Sequence, residues 1–490
     1  MKKLLSATLI LMSLALAACG EAASGTASGG GAASNAGGAP EQTAVTEAET
    51  AEETTDAAQA YGIKDEDFDG RNINIVTGEH CAYEYVFEEE TGDVVDDAVY
   101  ARNRAVEELL NVKFSFVTSA NWSQGDPFYS LIRKDVKAGD CSYDIVNGLN
   151  CWTTPLIFEG MFQRLDTIST IDFSHPWWVP GLTLDGSEKV YYAFTDASLS
   201  LYKDLYVIFF NKSIISDHGM SDPYQLVRDG KWTIDAFISM GSEGSLDLNG
   251  DGVIDIDNDQ MAYVAKHAAN RAFMTSTETS VFVIGEDGLP TLAGISDRLA
   301  SVFDKLKPFL SDKNLTYVTT EPDMLLLSKP FADGRALFLT NCIVGVEAMR
   351  DMQADFGIVP MPKYDEAQAE YHSQIATSSS ALYLETTAQD TDQLGSVMEA
   401  LGYFSWQNVV PVYYETALNV KYARDESVQE MLALVRDNAG TNIDFSYNTI
   451  FWTNDVINTA WSGGDIASWY AGLESKTLKT LDKYLAIELD

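Results

Sequence analysis

Between Asp247 and Asp259 the chain places oxygen-bearing side chains at a spacing that suits a hard cation. Asp247, Asn249, Asp251 and Asp255 stand at positions 1, 3, 5 and 9 of a loop, with Gly252 at position 6. This is the order of an EF-hand calcium loop, where position 7, here Val253, gives its backbone carbonyl and the glycine permits the sharp turn. Position 12 is Asn258 rather than a bidentate Glu, which leaves Asp257 or Asp259 to close the shell. Calcium, as a structural clamp on this loop, is the expected cofactor. The competing arrangement is an acidic turn held by Asx-type hydrogen bonds.

No pattern supports turnover. The chain has no Gly-x-Ser-x-Gly elbow and no His-Glu-x-x-His, and its five His are scattered. Glu88-Glu89-Glu90 reads as a solvated charge run rather than a catalytic pair. Cys81, Cys141, Cys151 and Cys342 form no Cys-x-x-Cys pair, so zinc is not expected. Cys141 and Cys151 are the closest in sequence, and a disulfide between them and free thiols both stay open.

The N-terminus carries a different chemistry. Lys2 and Lys3 precede an apolar run from Leu4 to Ala17, followed by Ala18, Cys19 and Gly20. A positive start, a short apolar stretch and small residues before a cut describe a secretory leader, since a span needs about 20 apolar residues. The Leu-Ala-Ala-Cys box resembles the bacterial lipobox. That resemblance implies that residues 1–18 are removed and that Cys19 takes a diacylglyceryl group on its thiol. Residues 20–60 contain no Lys or Arg and are rich in Gly, Ala, Ser, Thr and Glu. Such a stretch buries too little apolar surface to fold. Residues 19–66 therefore read as a lipid-anchored tether whose mean reach is about 35 Å, on the extracellular face of the cytoplasmic membrane.

The remaining chain is long enough for two lobes at the usual ~100–200 residues per domain. The 46% hydrophobic and 11% aromatic content of the whole chain can fill real cores. A net charge of −41 argues against nucleic acid and against anionic membrane, leaving the lipid as the membrane contact. The protein is expected to be a monomer.

These residues need elements to position them. Residues 72–76 read as a strand. Val95, Ala98, Val99, Val106, Leu109 and Leu110 recur at helical spacing behind Asp93 as N-cap, with Arg102 interrupting the stripe and its stem laid along the apolar face. Lys113–Thr118 alternates as a strand, Phe128–Val136 as a helix, and Tyr143–Val146 as a third strand. This order implies parallel pairing with right-handed crossovers. Ligands of such sheets bind at the carboxyl ends of the strands, here the loops Thr77–Tyr85 and Asn147–Thr154. Further on, Leu205–Phe210, Ala336–Thr340 and Phe356–Val359 read as strands, and Ser380–Leu384 continues apolar. A helix starts behind Thr233, and another runs from Ser296 to Lys307, where Pro308 should end it. The last third reads as mainly helical.

Several segments then carry a resemblance. They are "DLYVIFFNK" (204–212), "SDPYQLVRDGKWTIDAFISM" (221–240), "FADGRALF" (331–338), "DFGIVPMPKY" (355–364) and Ile450-Phe451-Trp452. In this order, behind a lipobox, they resemble the extracellular solute-binding proteins of ABC importers, the class that includes maltose-binding protein. The resemblance implies an α/β fold, periplasmic-binding-protein-like of type II, with two lobes joined by crossover strands and a cleft between them. Residues 67–208 and 360–417 would form lobe 1, and 209–359 and 418–490 lobe 2. It implies capture of a small solute, a sugar or oligosaccharide, and delivery to the permease subunits of an ABC transporter. A ligand sensor signalling to a membrane kinase is the alternative on the same fold, and a secreted glycan hydrolase is the more distant one.

The expected ligand contacts combine these readings. Glu79 and His80 lie in the first strand-end loop, Asn147 and Asn150 in the third, and Asp204 at the mouth of the first crossover. Trp152 and Trp452 are candidate stacking platforms, because the C–H face of a sugar suits an aromatic ring. Trp461 is a third such candidate, Tyr413 and Tyr414 stand behind them, and Trp177 and Trp178 read as packing. The chain departs from the class at Gly148, where maltose-binding protein has a stacking tryptophan. It departs again after Thr340, where Asn341-Cys342-Ile343-Val344 replaces a Trp-bearing loop.

Overall fold

The computed structural model describes residues 61–123, 125–179, 189–286, 289–319, 324–349, 352, 354–419, 426–440 and 456–485. Cys19 and Trp452 lie outside the described residues.

The first sheet grows from the alternation seen in the sequence. Strand β1 is Arg71–Gly78, and its burial changes from alternating to continuous toward its C-terminal end, where both faces are covered. Helix α1, Val94–Leu110, starts where the Asp93 carboxylate accepts from the N–H groups of Val95 and Asp96. Strand β2, Val112–Ser119, then pairs parallel with β1 from Arg71↔Val112 to Gly78↔Ser119. Helix α2, Pro127–Ala138, begins with proline and ends at Gly139, whose φ of 72° closes the left-handed C-terminal turn. Strand β3, Ile145–Leu149, pairs parallel with β1 on its other side.

The second sheet begins with β4, Tyr206–Asn211. After α3, Ile234–Ser242, capped by Thr233, come β5, Met261–Lys266, and α4, Asp297–Leu310, capped by Ser296. Strands β6, Thr316–Thr319, β7, Ala336–Cys342, and β8, Phe356–Val359, complete the sheet in the order β8-β4-β7-β5-β6. β5 runs parallel to β6 and β7, whereas β4 runs antiparallel to β7 and β8. The chain then returns to the first sheet as β9, Ser380–Tyr383, antiparallel to β3, giving the order β9-β3-β1-β2. Helices follow: α5, Thr391–Phe404, α6, Glu426–Asp437, α7, Val456–Trp461, and α8, Ile466–Leu485. None of the described helices is long and apolar enough to cross a membrane.

The structure differs from the sequence expectations at three places and decides one that was left open. Arg102 does not extend its head to solvent. It is fully buried, donating to Asn103 Oδ1, Ser405 Oγ and the Glu84 carbonyl, with its guanidinium 5.0 Å from the centre of the Tyr85 ring. These acceptors offset desolvation, which still lowers its pKa to about 10. Pro308 does not end its helix. α4 continues to Leu310, because Phe309 and Leu310 are buried and hold the last turn in the core. The passages between sheets fall near residues 205 and 375 rather than at 208 and 359. All of β4 belongs to the second sheet, and the segment after β8 still bonds to it, the Lys363 carbonyl accepting from Ile234 N and Ser276 O from Gln368 Nε2. Finally, Cys81, Cys141, Cys151 and Cys342 are all free thiols, so the Cys141–Cys151 bridge is absent.

Trp177 and Trp178 pack as expected. Both are buried, and both indoles donate to the Glu399 carboxylate on α5, at 2.7 and 3.0 Å.

Candidate ligand cleft

The two crossings bring the strand ends of both sheets to one place. Leu205 pairs with Ile375, and Ala376 N donates to the Asp204 carbonyl at 2.9 Å. On the second-sheet side, Ile343 N, just past β7, donates to Leu205 O at 3.0 Å. On the first-sheet side, Asn150 N, just past β3, donates to Ser379 O at 3.0 Å. The carboxyl ends of β3 and β7 thus flank the same pair of crossing segments, which is where open α/β sheets bind ligands.

Beneath this surface lies a buried polar network. Glu84 is fully buried at the end of the 3₁₀ turn Glu79–Glu84. Its carboxylate accepts from Asn147 Nδ2 at 2.9 Å, Ser200 N at 2.7 Å and the Ser380 hydroxyl. Burial raises its pKa, and these donors oppose the rise. Asn147 sits inside the sheet, its Oδ1 without a hydrogen-bond partner. It is fully buried, and its amide also donates to Thr77 Oγ1 at 3.0 Å, so it braces β1, β3 and β9 from inside.

The other expected residues lie nearer the surface or lack partners. Glu79 is exposed. Trp152 is half-buried against the main core. Asn150 is fully buried, yet neither polar atom of its amide meets a hydrogen-bond partner. Asp204 is half-buried between the crossings, with Ser378 Oγ 3.5 Å from Oδ2. Burial pushes its carboxyl up to about 7, opposed by Lys203 and Lys266 and reinforced by the negative charge of Glu84.

His80 is half-buried and held on both ring nitrogens, Nδ1 against Asn121 Oδ1 at 2.7 Å and Nε2 against Cys81 Sγ at 2.9 Å. Burial lowers its pKa, which favours the neutral ring. The Cys81–His80–Asn121 order invites comparison with thiol nucleophiles, but Cys81 is buried and desolvation raises its pKa well above the usual thiol range. A protonated, enclosed sulfur is a poor nucleophile.

The second sheet supplies the opposing wall. Lys266 ends β5, and Arg271 follows it closely enough to offset part of the burial that pushes the Cys151 thiol up to about 12. Asn270 donates to Asn458 on α7 at 3.1 Å, and the Trp461 ring centre lies 5.7 Å from that of His267. Lys266 and Arg271 on this side thus lie near the Asp204 carboxyl and the Cys151 thiol on the other.

One residue outside the expected set stands out. Trp122, three residues past β2, is 62% exposed, and its ring centre is 4.4 Å from that of His80. The signal available in the sequence was an indole in a polar loop, Ala-Asn-Trp-Ser, at the one remaining strand end of the first sheet.

In the loop from Asp247 to Asp259 the carboxylates are engaged with the backbone. Asp247 accepts from Gly250 N and Gly252 N at 2.6 and 2.8 Å, Asp251 from Val253 N at 2.8 Å, and Asp259 from Leu248 N and Asp255 N at 2.9 and 3.0 Å. Asp255 accepts from Asp257 N and Asn258 N. Among the described residues, no three His, Cys, Asp or Glu side chains gather into a metal-binding group.

No protein-family model matches the sequence, and no curated protein matches it. Solved structures do match the fold. UspC of Mycobacterium tuberculosis superposes with a TM-score of 0.53 at 14% identity, covering 82% of this chain and 98% of its own. The GacH receptor of Streptomyces glaucescens, solved unliganded and with acarbose, gives 0.51 at 11% identity over 84% and 98%. An ABC transporter solute-binding protein from Thermotoga lettingae, bound with α-D-tagatose, gives 0.51 at 13% identity over 85% and 100%. The chain has the α/β fold of these solute-binding proteins, the type II periplasmic-binding fold.

Proposed function

We propose that this protein is a lipid-anchored extracellular receptor that closes two lobes on a carbohydrate and delivers it to the permease of an ABC transporter. The observation that carries the reading is the pair of crossings near Leu205 and Ile375, flanked by strand ends of both sheets. Two lobes joined in this way can close by a hinge. The sugar ligands named for structural neighbours, acarbose and tagatose, favour a carbohydrate. A receptor must hold its ligand unchanged, and the enclosed Cys81 thiol agrees with that role. Anchoring at Cys19 through the tether would keep the domain near its permease and raise its effective concentration there.

The test is a thermal-shift screen of sugars, followed by scattering with each stabilising sugar. The particle should compact while the sugar stays intact. Consumption of the sugar without compaction would return the hydrolase reading. Cys19→Ala should leave a folded domain that no longer fractionates with membranes, since stable attachment needs two acyl chains.

Calcium in the acidic loop is a separate proposal. It is supported by the order Asp247, Asn249, Asp251, Val253 and Asp255 and by Gly252 at φ 83° in the turn. A bound cation would draw these oxygens inward, with Asp257 or Asp259 closing the shell.

A further inference from the structure

We infer that Trp122, propped by His80, is the sugar-stacking platform of the first lobe, taking the apolar face of a pyranose ring at the cleft mouth. This rests on the carbohydrate reading proposed above. At 62%, Trp122 is the most exposed of the large hydrophobic side chains among the described residues. An indole left in water forgoes a large burial gain, so its exposure requires an explanation in what covers it.

The ring is also held in place. Its face lies against the His80 imidazole, with 4.4 Å between ring centres and 42° between planes. His80 is in turn fixed by Asn121 at 2.7 Å and Cys81 at 2.9 Å. A pre-positioned ring loses little freedom on binding, which raises its value as a contact. The location suits a cleft. Gly78 and Ser119 are paired ends of β1 and β2, and His80 and Asn121 follow each by two residues. The backbone of Ser378, on the second crossing, adjoins His80, and the Ser378 hydroxyl is 3.5 Å from Asp204.

A polar partner stands beside the ring. Asn121 is fully buried, and its Nδ2 has no hydrogen-bond partner. It is a donor available to a sugar hydroxyl behind the stacked face. Position 148 cannot supply a ring in its place, because a Cβ at Gly148 would lie 2.3 Å from Thr153 Oγ1. The exposed indole of the first sheet's strand ends stands instead after the second strand, at Trp122.

The experiment uses the protein labelled with 5-fluorotryptophan, its Trp122 resonance assigned from Trp122→Phe. Maltotriose, cellotriose, xylotriose, mannotriose, galactose and tagatose are each added, with melting and calorimetric titration in parallel. The expected result is a sugar that stabilises the protein and moves the Trp122 resonance. Trp122→Ala should weaken that sugar by about tenfold or more, Trp122→Phe by less than about threefold, and His80→Ala by an intermediate factor. The melting temperature of unliganded Trp122→Ala should stay at the native value, as its side chain is exposed. A sugar that stabilises native protein and Trp122→Ala equally, with a stationary resonance, overturns the platform and leaves the receptor reading intact. No stabilisation by any of the six overturns the platform together with the carbohydrate reading it rests on.

Discussion

The two ends of the short turn Glu79–Glu84 do opposite things with similar side chains. At its inner end, Glu84 gathers Asn147, Ser200 and Ser380 into a network that water does not reach. At its outer end, Glu79 is exposed, and His80 supports an indole that faces solvent. Asn147 and Asn150 are both fully buried three residues apart, and the Asn147 amide nitrogen donates to Thr77 and Glu84. Polar groups satisfied inside a fold contribute stability, and exposed groups at its edge are available to a ligand.

Removing the inner acceptor should break this contrast most severely. Glu84→Ala leaves three buried donors unmatched and should cost about 2–4 kcal/mol, read as a lower urea midpoint at unchanged slope. A cost under about 1 kcal/mol would mean that the network is not what holds these strand ends. Gly148→Ala comes next. Its Cβ would meet Thr153 at 2.3 Å, and the resulting strain should cost about 1–3 kcal/mol in the same measurement.

The acidic loop extends the comparison, because its carboxylates are surface groups that already have backbone partners. If calcium binds there, chelation should lower the melting temperature. At tenfold excess over the dissociation constant the ion contributes about 1.4 kcal/mol by mass action. Asp251→Ala should abolish the dependence, and identical curves with and without chelator would rule the ion out.

A pH titration probes a second inner carboxylate. Asp196 is buried, accepts from the Tyr202 hydroxyl, and is pushed up to about 7 by burial. Its folded pKa lies above the unfolded value of 3.8. The folded state therefore holds the extra proton, and this contribution is complete below about pH 4 and is lost as pH rises through 7. Asp196→Asn should remove that falling component, seen as a more positive slope of stability against pH from 4 to 7. The smallest effect belongs to the rim: Glu79→Ala should change stability by no more than about 0.5 kcal/mol.

Local signals were legible where neighbours in the chain decide the outcome. Asp93, Thr233 and Ser296 cap their helices as their residue types require. The strands at 71–78, 112–119 and 145–149 follow from periodicity, and their alternation with helices fixes parallel pairing. The candidate site was less legible. Exposure and pairing depend on which side of a strand end is covered, and nothing local separates Asn147 from Asn150 or an enclosed Arg102 from one reaching solvent.

By itself, then, the sequence determined the α/β alternation and the helix starts, because each is encoded within a few residues through caps and periodicity. Only the tertiary structure decided that Pro308 stays inside its helix, that Asn147 and Arg102 turn inward, and that His80 meets Trp122 across 42 residues of chain. That meeting follows from the parallel register that sets Gly78 beside Ser119, and register is fixed by the burial of whole strands rather than by any residue in the loops it brings together.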